Sequence, residues 1–153
     1  CLTMAVKEPI GVITSILDDN QPLLSLSTVM SSVFANGNTN IIVPSEKTAL
    51  ITTLMYQVFD TSDVPAGYIN ILTAKQNELN LPLAQHENID GIWAFSENSI
   101  TRSSIIKETA FNLKRFWCPT NNNIDWSSNS EEFLLEFLYQ GSQVKNIWIP
   151  YGE

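Results

Sequence analysis

Along the first 117 residues, short apolar runs alternate with longer amphipathic ones, and few architectures accept that alternation. The run from Gly11 to Leu17 reads as a buried strand, ended by the polar turn Asp18-Asp19-Asn20. Pro22 then sits where a helix can begin, apolar residues recur at helical spacing as far as Phe34, and Asn36-Gly37 stops the helix. Asn40 to Val43 forms a second strand, and Ser45 caps a helix from about Glu46 to Phe59. Tyr68 to Thr73 is a third strand, followed by a short helix from Leu79 to His86, interrupted or begun near Pro82. Gly91 to Phe95 and Leu113 to Trp117 supply two more strands, separated by a helix from about Ser99 to Phe111. Strands joined through helices by short connections predict an α/β fold. The expected form is a Rossmann-like, doubly wound parallel sheet of about five strands with flanking helices.

Beyond Cys118-Pro119 the character changes. Residues 120–130 read as a polar linker, Glu131 to Tyr139 as a helix stopped by Gly141, and Gln143 to Ile149 as an isolated strand. That strand has no evident slot in a five-stranded parallel sheet. The expected organisation is a nucleotide-type domain over 1–119, a linker over 120–130, and a C-terminal helix with its strand over 131–153. Trp93, Phe95, Phe116 and Trp117 are expected in the core. Phe133, Leu134, Phe137 and Leu138 are expected on one packing face of the last helix.

The 153 residues suit one domain. A formal charge of −8 and the lack of any Lys/Arg cluster exclude nucleic acid as a partner. No apolar run reaches the length of about 18 residues that a membrane span needs. Cys1, Cys118 and the single His86 make no metal-ligand pattern, and two reduced thiols fit a cytoplasmic protein. Because the first residue is Cys1 rather than methionine, a segment of a longer polypeptide is expected.

Several blocks point to one family. Glu8-Pro9-Ile10-Gly11-Val12-Ile13, Asn20-Gln21-Pro22, Gly37-Asn38-Thr39, Pro44-Ser45-Glu46, Pro65-Ala66-Gly67-Tyr68-Ile69-Asn70 and Asn112-Leu113-Lys114 follow one another in order. Together, from about Lys7 to Trp117, they resemble the cofactor domain of the aldehyde dehydrogenase superfamily. Val144 to Pro150 resembles the C-terminal strand through which those enzymes assemble. Only a linker and one helix stand where a full member carries its catalytic domain. That arrangement is similar to the truncated C-terminal domain of family sixteen aldehyde dehydrogenases, which follows a complete first unit.

The resemblance also says which chemistry should be present. The family oxidises aldehydes with a nucleophilic cysteine, a glutamate base and an oxyanion-holding asparagine, passing hydride to NAD or NADP. Asn20 matches the asparagine and otherwise reads as an ordinary turn residue. Phe116-Trp117-Cys118-Pro119 stands where the glutamate pattern should follow, and the nucleophile belongs to the absent domain. Cys118 has no basic neighbour in sequence close enough to ionise it, so a structural thiol is expected.

In the family, a lysine just before Pro-Ser-Glu holds the adenosine ribose, assisted by the glutamate. Here Val43 takes the lysine's place, Lys47 leaves from a different direction, and Glu46 becomes an acidic residue at a helix N-terminus. The phosphate-side Thr-Gly-Ser turn aligns with Phe95-Ser96-Glu97, a Pro-Trp pair with Asp18-Asp19, and a further glycine with Ala74. Ser96 and Glu97 thus replace binding residues, and acidic groups surround a place meant for a dianion. No cofactor is expected for this segment. The expected function is a non-catalytic structural and assembly domain of an NAD-dependent aldehyde dehydrogenase, the alternative being a regulatory NAD-type nucleotide-binding module. Val144, Ile147, Trp148 and Ile149 are the expected assembly residues. Trp148 is equally readable as an intermolecular anchor or a core residue. The expected partners are a preceding unit of the same polypeptide, another protomer in a homo-oligomer, or both.

Overall fold

The computed structural model describes residues 1–95, 99–119 and 124–150, with Ser99 and Ile100 as backbone only. In chain order the elements are β1 (Leu2–Pro9), β2 (Val12–Ile16), α1 (Pro22–Ala35), β3 (Thr39–Val43), α2 (Ala49–Thr61), β4 (Ile69–Ile71), α3 (Gln76–Gln85), β5 (Gly91–Ala94), α4 (Ser99–Phe111), β6 (Arg115–Trp117), α5 (Glu131–Gln140) and β7 (Ser142–Ile149). Five strands pair in parallel in the order β4-β3-β2-β5-β6. The chain therefore starts at the centre, winds outward through β3 and β4, and returns to wind the other way through β5 and β6. A Rossmann-like α/β fold is what the alternation of runs predicts, and it is what forms.

Strand alternation builds two cores. Ile13, Leu17, Ile42, Ile69, Ile71, Trp93, Phe95 and Trp117 point to the side packed by Val29 and Val33 of α1, Phe59 of α2 and Phe137 of α5. Ile16, Val43 and Ile92 point to the other side, against Leu83 and Ala84 of α3 and Ile105 of α4. On the first side the aromatics meet edge-on: Trp93 and Trp117 at 5.0 Å between ring centres, Trp117 and Phe137 at 4.9 Å. Such pairs add about 0.5–1.5 kcal/mol each beyond area burial. Trp126, inside the stretch read as a polar linker, is only 3% exposed and lies 5.1 Å from Phe95. Residues 124–130 therefore pack on the sheet; 120–123 lie outside the described residues.

At the amino end of the sheet, side-chain amides tie the C-terminal elements down. Asn38, fully buried, accepts the Gly11 N–H at 2.9 Å and donates to the Gly141 carbonyl at 2.7 Å and the Val33 carbonyl at 3.3 Å. Asn36 donates to Leu138 O at 3.1 Å, and Arg115 to Ser142 O at 2.5 Å. Gly11, at φ 126°, lies so close to the Asp90 carboxylate that a Cβ there would sit 2.2 Å from Oδ2. Asp90 in turn accepts the Val12 N–H at 2.8 Å.

Several expectations need correction. The terminal strand is not isolated: β7 pairs antiparallel with β1, from Leu2 opposite Ile149 to Pro9 opposite Ser142, as a separate two-stranded ribbon. Ser45 does not cap α2. Residues 45–48 form a turn, Thr48 N–H donating to Ser45 O at 3.0 Å, and the helix starts at Ala49. Helix α3 begins at Gln76, three residues before the expected Leu79, and carries Pro82 inside. Leu113 lies outside β6, at φ 56° and 92% exposed. Leu134 is exposed rather than packed, so the buried stripe of α5 narrows to Phe133 and Phe137. No helix among the described residues is long and apolar enough to cross a membrane.

Candidate functional site

In a doubly wound sheet, ligands enter the crevice outside the carboxyl ends of the strands, where the winding reverses. Here that place lies between β2 and β5, and it is bordered by the turns that follow β2, β3, β4 and β5.

Beyond β2, Asp18 Oδ1 accepts the Asn20 N–H at 3.1 Å, an Asx-type turn, and Asn20 Nδ2 reaches the Ile124 carbonyl at 3.4 Å. Asn20 therefore spends its donor on the segment leading to α5. Asp19 closes sideways: its carboxylate takes a close ion pair from Lys47 and a hydrogen bond from the Ser45 hydroxyl, both on the β3–α2 turn. That carboxylate raises the Lys47 ammonium above its ordinary value, mainly through the hydrogen bond and then through charge.

Beyond β3, Val43 is fully buried on the α3/α4 side. Its side chain offers nothing to a ligand, and its carbonyl accepts the Leu17 N–H at 3.0 Å. Glu46 is exposed on the turn, three residues before α2, not at a helix N-terminus as the sequence suggested; Lys47 likewise precedes the helix. Ser96 and Glu97 lie outside the described residues. Phe95, at their border, is 5% exposed and donates its N–H to Ile16 O at 3.0 Å.

Gln76 is the residue that sequence reasoning missed. It opens α3 and returns its carboxamide across the carboxyl ends of the two inner strands, donating to Leu17 O at 2.6 Å and Val43 O at 3.3 Å. One signal pointed to it: every strand-to-helix turn in such a sheet opens on the same crevice, including the one after β4.

Cys118, at the carboxyl end of β6, is half-buried and unpaired by disulfide. Burial pushes its thiol upward, opposed by the positive charge of Arg102 on α4. The sequence-adjacent cations are committed elsewhere: Lys114 to His86 O and, at 2.6 Å, Ile89 O; Arg115 to Ser142 O. Nothing here generates a thiolate. Among the described residues, no group of three or more His, Cys, Asp or Glu side chains could hold a metal ion.

The expected assembly residues divide between the two faces of the ribbon. Directly opposed residues share a face, so Ile147 and Ile149 lie with Leu2, Met4 and Val6, whereas Val144 and Trp148 lie with Thr3 and Lys7. Trp148 is 75% exposed, which leaves it no core role within the described residues.

Residues 1–120 match the family model described as the aldehyde dehydrogenase family. The NADP/NAD-dependent aldehyde dehydrogenase PuuC of Escherichia coli (strain K12) is 34% identical over 117 residues, 76% of this chain and 23% of that protein. Aminoaldehyde dehydrogenase 2, peroxisomal, of Malus domestica is 35% identical over 105 residues, 69% of this chain and 21% of that one. The crystal structure of PnpE from Pseudomonas sp. WBC-3 superposes with a TM-score of 0.71 at 29% identity, covering 76% of this chain and 24% of that one. A further PnpE structure, in complex with nicotinamide adenine dinucleotide, matches equally well. This chain thus spans under a quarter of the length of these relatives.

Proposed function

The chain belongs to the aldehyde dehydrogenase family, and from that premise we propose that this segment is a degenerate, non-catalytic cofactor-type domain with a structural and assembly role. It serves a longer polypeptide whose family performs NAD-dependent oxidation of aldehydes to carboxylic acids, in the manner of the truncated C-terminal domain of a family sixteen enzyme. The observation that carries this reading is the Gln76 carboxamide, bonded to Leu17 O and Val43 O where the crevice opens. The residues around it do not fit a dinucleotide held as the family holds it. Val43 has no donor for a ribose, Asp18 and Asp19 bring carboxylates toward a diphosphate, and the nearby Lys47 cation is spent on Asp19. The free thiols Cys1 and Cys118 fit a reducing, cytoplasmic setting.

The ribbon supports the assembly half. A two-stranded ribbon standing apart from the main sheet gains little stability alone, yet this one leaves Leu2, Met4, Val6 and Ile149 between 40% and 45% exposed on one face. We assign that face to a preceding unit of the same polypeptide or to another protomer. The rival reading, a regulatory module that keeps an NAD-type nucleotide, draws on the fold shared with NAD-bound PnpE. Titration calorimetry with NAD and NADP separates the two. A dissociation constant below about 100 μM, near −5.5 kcal/mol, favours the module; no heat at millimolar cofactor favours the structural domain.

A further inference from the structure

Beside the outer edge of β6, away from the Gln76 bridge, a groove of about 870 Å³ runs between the strand's carboxyl end and α5. Trp117, Phe133 and Phe137 line its wall, and the carboxylates of Asp125, Glu132 and Glu136 line its rim. No lysine, arginine or histidine lines it. Glu132 and Glu136 stand one helical turn apart on the same face of α5. Glu136 accepts the Gln140 side chain at 2.8 Å, and Asp125 accepts the Ser127 hydroxyl at 2.5 Å and its N–H at 3.0 Å. Those Ser127 bonds hold the Asp125 carboxyl below its ordinary range, so it stays ionised. The bonds come from neutral donors and leave the negative charge uncompensated within the groove.

We propose that this groove is a binding site for an organic ammonium ion with an apolar or aromatic body. Its size lies within the range of small-molecule sites, about 300–1,000 Å³. A hydrocarbon body gains by leaving water against the aromatic wall, and an ammonium beside aromatic rings and carboxylates is attracted by both. An anion is repelled by the rim, and a neutral ligand leaves the three carboxylates unmatched. A metal ion is disfavoured because these carboxylates do not converge. The site uses neither the cofactor crevice nor the ribbon, and it stands whether or not a dinucleotide binds.

Cys118 lines the groove and supplies a reporter. In a Cys1→Ser background it is the sole thiol. The experiment titrates benzyltrimethylammonium, with benzyl alcohol and phenylpropionate as neutral and anionic controls. It reads tryptophan fluorescence and the rate of Cys118 alkylation. The expected result is a saturable fluorescence change with slowed alkylation for the ammonium alone, about tenfold weaker in Glu132→Gln/Glu136→Gln and weaker in high salt. Both glutamates are exposed, so the double variant should unfold at the same urea concentration as the parent. Equal binding of benzyl alcohol, affinity unchanged in the double variant, or no saturable signal would each overturn the proposal.

Discussion

The side-chain amide of Gln76 donates to the main-chain carbonyl of Leu17 at 2.6 Å, joining residues 59 apart in sequence across the mouth of the sheet. A carbonyl at the end of β2 and another at the end of β3 would otherwise face water or a ligand. The protein meets this need from its own chain. Replacing Gln76 with alanine removes one well-made hydrogen bond and one longer one, and should cost about 1–2 kcal/mol in urea unfolding. The variant should still fail to bind NAD, because Val43 and Asp19 remain. Recovery of binding on this change alone would mean that Gln76 is the whole obstruction.

Asn38 should prove a far costlier position. It is fully buried and satisfies a donor at Gly11 and acceptors at Gly141 and Val33. Asn38→Ala leaves these groups without partners away from water, at a cost of about 3 kcal/mol. Because Gly141 leads into β7, protection of the ribbon amides in hydrogen exchange should fall further than protection at β2. Equal losses at both would show that Asn38 does not specifically anchor the C-terminal elements.

Cys118 gives a prediction in pH. Its thiol is held above the ordinary value by burial, so between the unfolded and folded values the native state keeps a proton that the unfolded chain has released. Stability from this group is intact below the ordinary thiol range and is lost as pH rises through and above about 8.5. Urea midpoints measured from pH 7 to 10 should fall less for Cys118→Ala than for the parent. At neutral pH, Cys1, which is exposed, should alkylate well before Cys118.

The apolar face of the ribbon is the predicted assembly surface. Ile147 stands opposite Met4 on that face. Met4→Asp/Ile147→Asp should lower the mass of the longer polypeptide in light scattering, and Trp148→Ser, on the other face, should lower it less. Unchanged mass in the Met4/Ile147 variant would remove the ribbon from assembly.

Much of this fold was legible because strand–helix alternation is a local property. β2, α1, β3, β5 and α4 all fall within two residues of where apolar spacing, Pro22 and Asn36-Gly37 put them. What could not be read was non-local. Nothing near Leu2 announces Ile149 as its partner, and a two-stranded ribbon has no local signal for pairing over that distance. Trp126 sits in a polar run whose composition reads as linker, yet its ring fills the space between Phe95 and Phe133. At the crevice, Val43 and Asp19 stood out because a resemblance named what should be there. Gln76 did not, because a glutamine at a helix start looks ordinary until its carboxamide is seen to turn back on Leu17. The Asp19–Lys47 pair was hidden likewise, by a turn that postpones α2 to Ala49.

The account rests on the crevice being unable to hold a dinucleotide, and calorimetry of NAD against this 153-residue chain near neutral pH tests that most directly. It predicts no heat of binding up to millimolar NAD. Saturable binding with a dissociation constant below about 100 μM would contradict it and make the Gln76 bridge a gate that the nucleotide opens.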